Sequence, residues 1–247
     1  MRIDIVTLFP GIFAGAFQES ILGRAQAKGL VELRVVYLRD YAGGRHRVTD
    51  DYPFGGGGGM ILKPEPLFAC VEALRSPGCR VVLLDPQGRR LTQVVARQLA
   101  REQHLILLCG RYEGVDERVR EHLVDDELSI GDYVLTGGEL PALVVADAVI
   151  RLLPGALGDA VAPEQDSFAE GLLEGSHYTR PEEFRGWRAP AVLLSGDHGR
   201  ISRWRRVMAL WRTWRRRPEL LETADLTPEE QKLVEAFKQG TSPDTLI

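Results

Sequence analysis

Four short runs rich in β-branched residues and leucine, at 2–8, 31–38, 80–84 and 104–109, are separated by segments whose apolar residues recur at helical spacing. This alternation predicts an α/β domain. Val81-Val82-Leu83-Leu84 and Leu105-Ile106-Leu107-Leu108 are apolar without alternation, as strands covered on both faces are. The sheet is therefore expected to be mostly parallel, with these two runs as central strands. After Gly137-Gly138, the positions of Leu140, Leu143, Val144, Ala148 and Ile150 predict a buried helix from Glu139 to Leu153, with Pro154-Gly155 as its stop signal. Residues 156–170 mix Gly, Pro, Ala and acidic residues with little periodicity and read as a linker or ordered loop. The expected organisation is a first domain over 1–157, a linker over 158–170 and a second domain over 171–247.

The second domain carries a charge asymmetry that the whole-chain balance hides. The 247-residue chain has a formal net charge of -4, yet the stretch from Arg200 to Arg217 holds eight arginines and no acidic residue. Ile201, Trp204, Met208, Trp211 and Trp214 recur there at three- or four-residue steps and form one apolar helix face, with arginines around it. Aromatic residues at that spacing usually pack a core. Clustered arginines repel one another and are best tolerated against phosphates, so contact with RNA or DNA is the expected use of this stripe.

With 44% apolar and 27% charged residues the chain has the composition of a globular protein. Cys70, Cys79 and Cys109 are odd in number and fit neither a disulfide framework nor a metal-ligand spacing, so a reducing, cytoplasmic setting is expected. Neither a signal peptide nor a membrane helix is expected. Five consecutive glycines, Gly55 to Gly59, follow Arg45-His46-Arg47 and Asp50-Asp51. Such a run either cradles a phosphate or nucleotide or serves as a flexible connector. It is not a nucleotide-binding P-loop, because Lys63 is followed by Pro64, and no Gly-x-Gly-x-x-Gly follows a strand. Three more glycine-bearing loops follow apolar strands: Asp85 to Gly88, Gly110 to Arg118 and Ser129 to Pro141. Loops leaving adjacent strands of an open α/β sheet converge on one pocket, so one cofactor site is expected.

These segments together resemble the bacterial tRNA (guanine-N1)-methyltransferase family of the SPOUT class. The resemblance runs through Thr7-Leu8-Phe9-Pro10, Arg45-His46-Arg47, the glycine run, Pro86-Gln87-Gly88, Cys109 to Arg118 and Ser129 to Pro141. It continues through Asp166 to Gly171, His177-Tyr178-Thr179-Arg180-Pro181, Leu193-Leu194-Ser195-Gly196 and Arg215 to Leu221. It implies a SPOUT-type mostly parallel sheet with a C-terminal trefoil knot, followed by a small, mainly helical, arginine-rich tRNA-binding domain. It also implies a cytoplasmic homodimer that transfers a methyl group from S-adenosyl-L-methionine to N1 of guanosine 37 in tRNA. The knot comes from resemblance alone, since general topology argues against one.

By the same resemblance the cofactor would be held by Leu84, Pro86 and Gln87; by Gly110, Tyr112 and Glu113; and by Ile130, Gly131, Asp132, Tyr133, Val134 and Leu135, with Gly137, Gly138 and Pro141 behind them. Arg45, His46, Gly56, Gly57 and Glu113 would meet the tRNA substrate. Asp166 corresponds to the family's general base for the N1 proton; from its position alone, an N-cap for a helix starting near Phe168 is the better fit. Arg151 corresponds to an arginine that steadies guanine O6, and it also suits compensation of a helix C-terminus. Mg2+ is implied as a further cofactor, although no residue cluster predicts a metal cage. Asp85 stands where the family often has a small residue, and Gly58 where it often has proline. Asp85 is expected to cap the next helix, the alternative being a carboxylate facing the cofactor.

Overall fold

A computed structural model describes residues 1–159 and 162–246, and the chain divides into two compact units, Met1–Ala160 and Val161–Ile247. In the first unit, strand β1 (Arg2–Thr7), helix α1 (Ser20–Ala27) and strand β2 (Glu32–Tyr37) precede two short strands, β3 (Asp50–Asp51) and β4 (Ile61–Leu62). Helix α2 (Pro64–Leu74), strand β5 (Arg80–Arg90), helix α3 (Gln93–Leu99), strand β6 (His104–Cys109), helix α4 (Glu117–His122), strand β7 (Asp126–Ser129) and helix α5 (Glu139–Ile150) follow. The main sheet has the order β2-β1-β6-β5-β7, and every pairing in it is parallel.

Alternation along each strand sorts its side chains between two cores. Ile3, Ile5, Val82, Leu84, Leu105 and Leu107 pack on the face covered by α1, α3 and α5. Val6, Val81, Leu83, Ile106 and Leu108 pack on the other, against α2 and α4. All six residues of β6 are buried, which accounts for its unbroken apolar run. The charged exception is Asp4 in β1, fully buried and held by Arg2 at 2.5 Å and by His104 Nε2 at 2.8 Å. The ring's Nδ1 is hydrogen-bonded to Ser76 Oγ at 2.7 Å. These contacts pair Asp4 Oδ2 and both ring nitrogens of His104 at the N-terminal edge of the sheet, while Asp4 Oδ1 and Arg2 Nε are buried without a hydrogen-bond partner among the described residues.

The strand run expected over 80–84 resumes after an interruption. Leu84 and Arg89 both lie opposite Leu128, so the intervening Asp85-Pro86-Gln87-Gly88 is extruded from the β5–β7 ladder. The helix expected to reach Leu153 ends at Ile150, followed by turns whose amides bond back to Val149 and Ile150.

The second unit contains helix α6 (Ala162–Gln165), the strands β8 (Glu183–Phe184) and β9 (Trp187–Arg188), helix α7 (His198–Arg216) and helix α8 (Pro228–Lys238). Asp197 caps α7 by accepting the Arg200 amide, and Thr227 with Glu230 forms a capping box on α8. Leu172, Val207, Leu210, Val234 and Phe237 form its core, with Trp211 and Trp214 packed against it. Trp204 is buried beside Tyr178. The tryptophan stripe of α7 is thus a packing face. Part of the stretch expected to be a linker is ordered, as helix α6 and the loop after it; residues 160 and 161 lie outside the described residues. Among the described residues, no helix is long and apolar enough to cross a membrane.

Asp126 at the start of β7 ties the parts of β5 on either side of the extruded segment, lying 3.2 Å from Arg80 and 2.6 Å from Arg89. Burial alone would raise its pKa, but the Arg89 hydrogen bonds, the charges of Arg89 and Arg80 and a backbone hydrogen bond together outweigh burial and hold the carboxyl below the usual carboxylate range. A pKa depressed by folding gives stability that is present at neutral pH and lost as pH falls through the depressed value. Asp126→Asn is expected to lower unfolding free energy at pH 7 by about 1–2 kcal/mol. In urea titrations the gap from the wild type should close below roughly pH 4, and a gap independent of pH would contradict this assignment.

Candidate active site

The extruded segment of β5 and the loops leaving the C-terminal ends of β6 and β7 lie side by side and enclose one cavity of about 260 Å3. Its wall is made by Leu84 to Gln87, by Gly110 to Gly114, by Leu128 to Gly131, and by Tyr133 to Gly138 with Pro141. Of the residues expected to hold a cofactor, Leu84, Pro86, Gln87, Gly110, Tyr112, Glu113, Ile130, Gly131, Tyr133, Val134, Leu135, Gly137, Gly138 and Pro141 line it. Asp132 does not: its side chain is exposed and pairs with Arg90. The physical reason is the Arg90 guanidinium, which holds the carboxylate outward in water.

The wall suits a small ligand with a flat, hydrogen-bonding edge. Leu84, Ile130, Leu135 and Pro141 supply apolar surface. The amides of Ile130, Val134 and Leu135 find no protein acceptor among the described residues. Unpaired amides beside apolar side chains can read the edge of a purine ring. Cys109, next to this wall, is fully buried, and burial pushes its thiol well above its ordinary pKa, so it offers no thiolate.

A buried network fixes the loop between β7 and α5. Glu139, the first residue of α5, accepts a hydrogen bond from Thr7 Oγ1 at 2.8 Å and another from Arg111 Nε at 3.2 Å. Arg111 Nη1 also donates to the Thr136 carbonyl at 3.0 Å, and its guanidinium lies 4.3 Å from the Phe9 ring centre. The Gly138 amide donates to Gly110 at 2.9 Å; a Cβ on Gly138 would fall 2.7 Å from Cys109 Cα, so only glycine allows this approach. Sequence reading gave Thr7, Arg111 and Glu139 no role. Their contacts cross 28 and 132 residues of chain, and no local spacing signals them.

Asp85 does not cap a helix. Thr92 caps α3 by accepting the Val95 amide, while Asp85 accepts the Gln87 amide at 2.9 Å and an Arg120 Nη2 hydrogen bond at 2.7 Å. Arg120 also pairs with Glu127, which ties the β5 loop to α4 and β7. Burial alone would lower the Arg120 pKa; the Asp85 hydrogen bond together with the charges of Asp85, Glu127 and Glu117 more than offsets this and holds the guanidinium above its ordinary value.

The glycine run is joined to the cavity through backbone. Glu113 N–H donates to Met60 at 3.0 Å, Leu62 N–H to Gly114 at 3.0 Å and Asp116 N–H to Leu62 at 3.0 Å. The Glu113 side chain lies against Gly59, where a Cβ would sit 2.5 Å from its Cγ. Gly56 and Gly57 are exposed within the run, and Arg45 and His46 are exposed ahead of it. Arg151 is the C-cap residue of α5 and lines a shallow groove with Leu143, Val144 and Asp147.

Asp166 belongs to the second unit and lines a separate cavity of about 360 Å3 there, with Glu174, His177 and Arg205 among its neighbours. It does not start a helix. Helix α6 precedes it, and Phe168 has a left-handed φ of 70°, which a helix start excludes for so bulky a residue. The loop is held instead by Phe168 N–H to Leu172 at 2.6 Å, Glu174 N–H to Ser167 Oγ at 3.1 Å and Leu173 N–H to the buried Thr213 Oγ1 at 2.9 Å. In the arginine stripe, Arg206 pairs with Glu170 and Glu230 and Arg217 with Glu219, whereas Arg200, Arg203, Arg205, Arg215 and Arg216 make no ion pair among the described residues. Among the described residues, no group of three or more His, Cys, Asp or Glu side chains is placed to hold a metal.

Removing Arg120 would leave Asp85 and Glu127 without their cation, and breaking a buried ion pair in this way costs several kcal/mol. Arg120→Ala is expected to lower stability by about 3 kcal/mol and to speed amide exchange in residues 85–88. An unchanged denaturation midpoint would show that the tie contributes nothing.

The comparisons with known proteins agree in direction. Residues 1–223 match the family model described as tRNA (Guanine-1)-methyltransferase TrmD. A tRNA (guanine-N(1)-)-methyltransferase of Symbiobacterium thermophilum is 58% identical over 98% of this chain and 100% of its own length. Enzymes of that name from Bacillus cereus and Bacillus anthracis are each 56% identical over 97% of this chain and 100% of theirs. With a match of this extent over both units, the chain belongs to the tRNA (guanine-N1)-methyltransferase family.

Proposed function

We propose that this protein transfers a methyl group from S-adenosyl-L-methionine to N1 of guanosine 37 in tRNA. The observation that carries the reading is the single cavity formed by the extruded segment of β5 and the loops at the C-terminal ends of β6 and β7, with unpaired amides beside apolar walls. When bound there, S-adenosylmethionine supplies a methyl group on an electrophilic sulfonium. The Ile130, Val134 and Leu135 amides would hold the adenine edge, while Leu84 and Pro141 exclude water from its faces.

Guanine N1 carries a proton at neutral pH, and its lone pair becomes nucleophilic only as that proton leaves. Asp166 accepts the proton at a carboxylate oxygen, and the tied 166–174 loop fixes where that oxygen stands. Negative charge then builds on guanine O6, and the Arg151 guanidinium at the end of α5 opposes it. Glu113 accepts from the guanine amino group, in line with its place between the cavity and the glycine run. Arg45, His46, Gly56 and Gly57 contact the anticodon loop, and the unpaired arginines of α7 contact phosphates.

Two architectural features belong to the same proposal. From edge strand β7 the chain returns to the end of β6, where Gly138 meets Gly110, and such a return is the path a trefoil knot requires. Leu140 and Val144 are 53% and 44% exposed on the otherwise buried α5, an apolar strip suited to the matching strip of a second copy. In such a homodimer, Arg151 with the cavity of one subunit works with Asp166 of the other. The protein would act in the cytoplasm, where its tRNA substrate is processed.

Asp166→Ala is expected to reduce methyl transfer at least ~100-fold, with S-adenosylmethionine binding by calorimetry unchanged. Wild-type turnover in that variant would remove the assigned base. Neither Arg151→Ala nor Asp166→Ala dimers should be active alone, whereas dimers mixed from the two should recover activity; no recovery would contradict a site shared between subunits.

A further inference from the structure

Trp187 stands apart from the other three tryptophans. Trp204, Trp211 and Trp214 pack on α7, while Trp187 is 71% exposed on the β8–β9 hairpin. Its cross-strand partner, Phe184, is 55% exposed, and the two ring centres are 6.4 Å apart. Large rings left in water on a two-stranded hairpin gain nothing from a core and call for another explanation.

The hairpin sorts its side chains between two faces. Glu183 and Arg188 form one cross-strand pair and neutralise each other at 2.6 Å. Phe184 and Trp187 form the other pair, so both rings share the opposite face. Arg185 and Gly186 join the strands with φ of 55° and 82°, the signature of a two-residue turn with both central residues left-handed, which fixes the spacing of the rings. The Arg185 guanidinium lies 5.2 Å from the Phe184 ring centre. Arg185 makes no ion pair among the described residues. Two exposed rings beside an uncompensated cation offer stacking for a π-face and charge for a phosphate in one place. That combination matches an unpaired nucleotide and poorly matches an aliphatic protein surface or a lipid.

We propose that the Phe184–Trp187 face is a stacking platform for an unpaired base of the RNA substrate, with Arg185 on the adjoining phosphate. The proposal rests on the reading of the protein as a tRNA-binding enzyme and adds a specific contact to it. Trp187 is a binding residue here and takes no part in proton or methyl transfer.

The test uses full-length protein, an unmodified tRNA transcript and the variants Trp187→Ala, Trp187→Phe and Arg185→Gln. Stacking of one base on an aromatic ring is sequence-tolerant and substantial, so Trp187→Ala should weaken tRNA binding by about tenfold. It should raise KM for tRNA in parallel and leave S-adenosylmethionine binding by calorimetry unchanged. Trp187→Phe should restore most of the affinity. The salt dependence of binding should keep its slope in Trp187→Ala and become shallower in Arg185→Gln, because only the arginine displaces counterions. If the wild type methylates tRNA but Trp187→Ala binds it as tightly, the platform alone is overturned. A Trp187→Ala variant whose dimer dissociates identifies a protein interface instead and likewise overturns it. A wild type that neither binds nor methylates tRNA overturns the parent reading and the platform with it.

Discussion

The approach of the first turn of α5 to the end of β6 is the contact on which the cavity depends. The Gly138 amide reaches the Gly110 carbonyl, and directly beside it Glu139 gathers Thr7 from β1 and Arg111 from the β6 loop. A buried carboxylate is costly unless it is paired; here Thr7 and Arg111 both bond to Oε1, and Arg111 Nε also lies 3.1 Å from Oε2. That arrangement brings the loop after β7 over the extruded β5 segment and the end of β6, and with it the amides of Ile130, Val134 and Leu135. A second clamp works from the other side, where Arg120 and Asp126 hold the extruded β5 segment to α4 and β7. The cavity is therefore walled by loops but positioned by charge pairs, which suits a site that must keep its shape with or without ligand.

The same logic explains where polar chemistry is concentrated. The N-terminal edge of the sheet holds Asp4, Arg2 and His104 in one set of contacts. The C-terminal edge leaves amides unpaired in the cavity wall, as ligand sites of open α/β sheets do. In the second unit, the strained Phe168 and the anchor on Thr213 keep Asp166 in a defined loop. Its helix α7 separates two tasks by face: tryptophan packing inward and unpaired arginines outward.

Much of this was legible in the sequence. Unbroken apolar runs located β5 and β6 because both faces of those strands are covered, and the glycine-bearing loops marked the cavity because backbone must approach closely there. What could not be read were contacts between residues far apart along the chain. Asp85 looked like a helix cap because aspartate often is one; its partner Arg120 lies 35 residues away. Asp166 looked like a cap for a helix near Phe168, and neither the left-handed backbone of Phe168 nor the Thr213 anchor has a local signature. Asp132 was grouped with its neighbours, and its pairing with Arg90, 42 residues away, has no local signature. The extrusion of Asp85 to Gly88 from its strand also escaped periodicity, since a bulge changes register without changing composition.

The most direct measurement is the identity of the product. Purified wild-type protein is incubated with labelled S-adenosylmethionine and an unmodified tRNA transcript bearing guanosine at position 37, and the digested nucleosides are separated by mass spectrometry. The account predicts a single methylated nucleoside, 1-methylguanosine, mapped to that position. A methyl group on a ribose or on another base, or no methylated nucleoside at all, would contradict it.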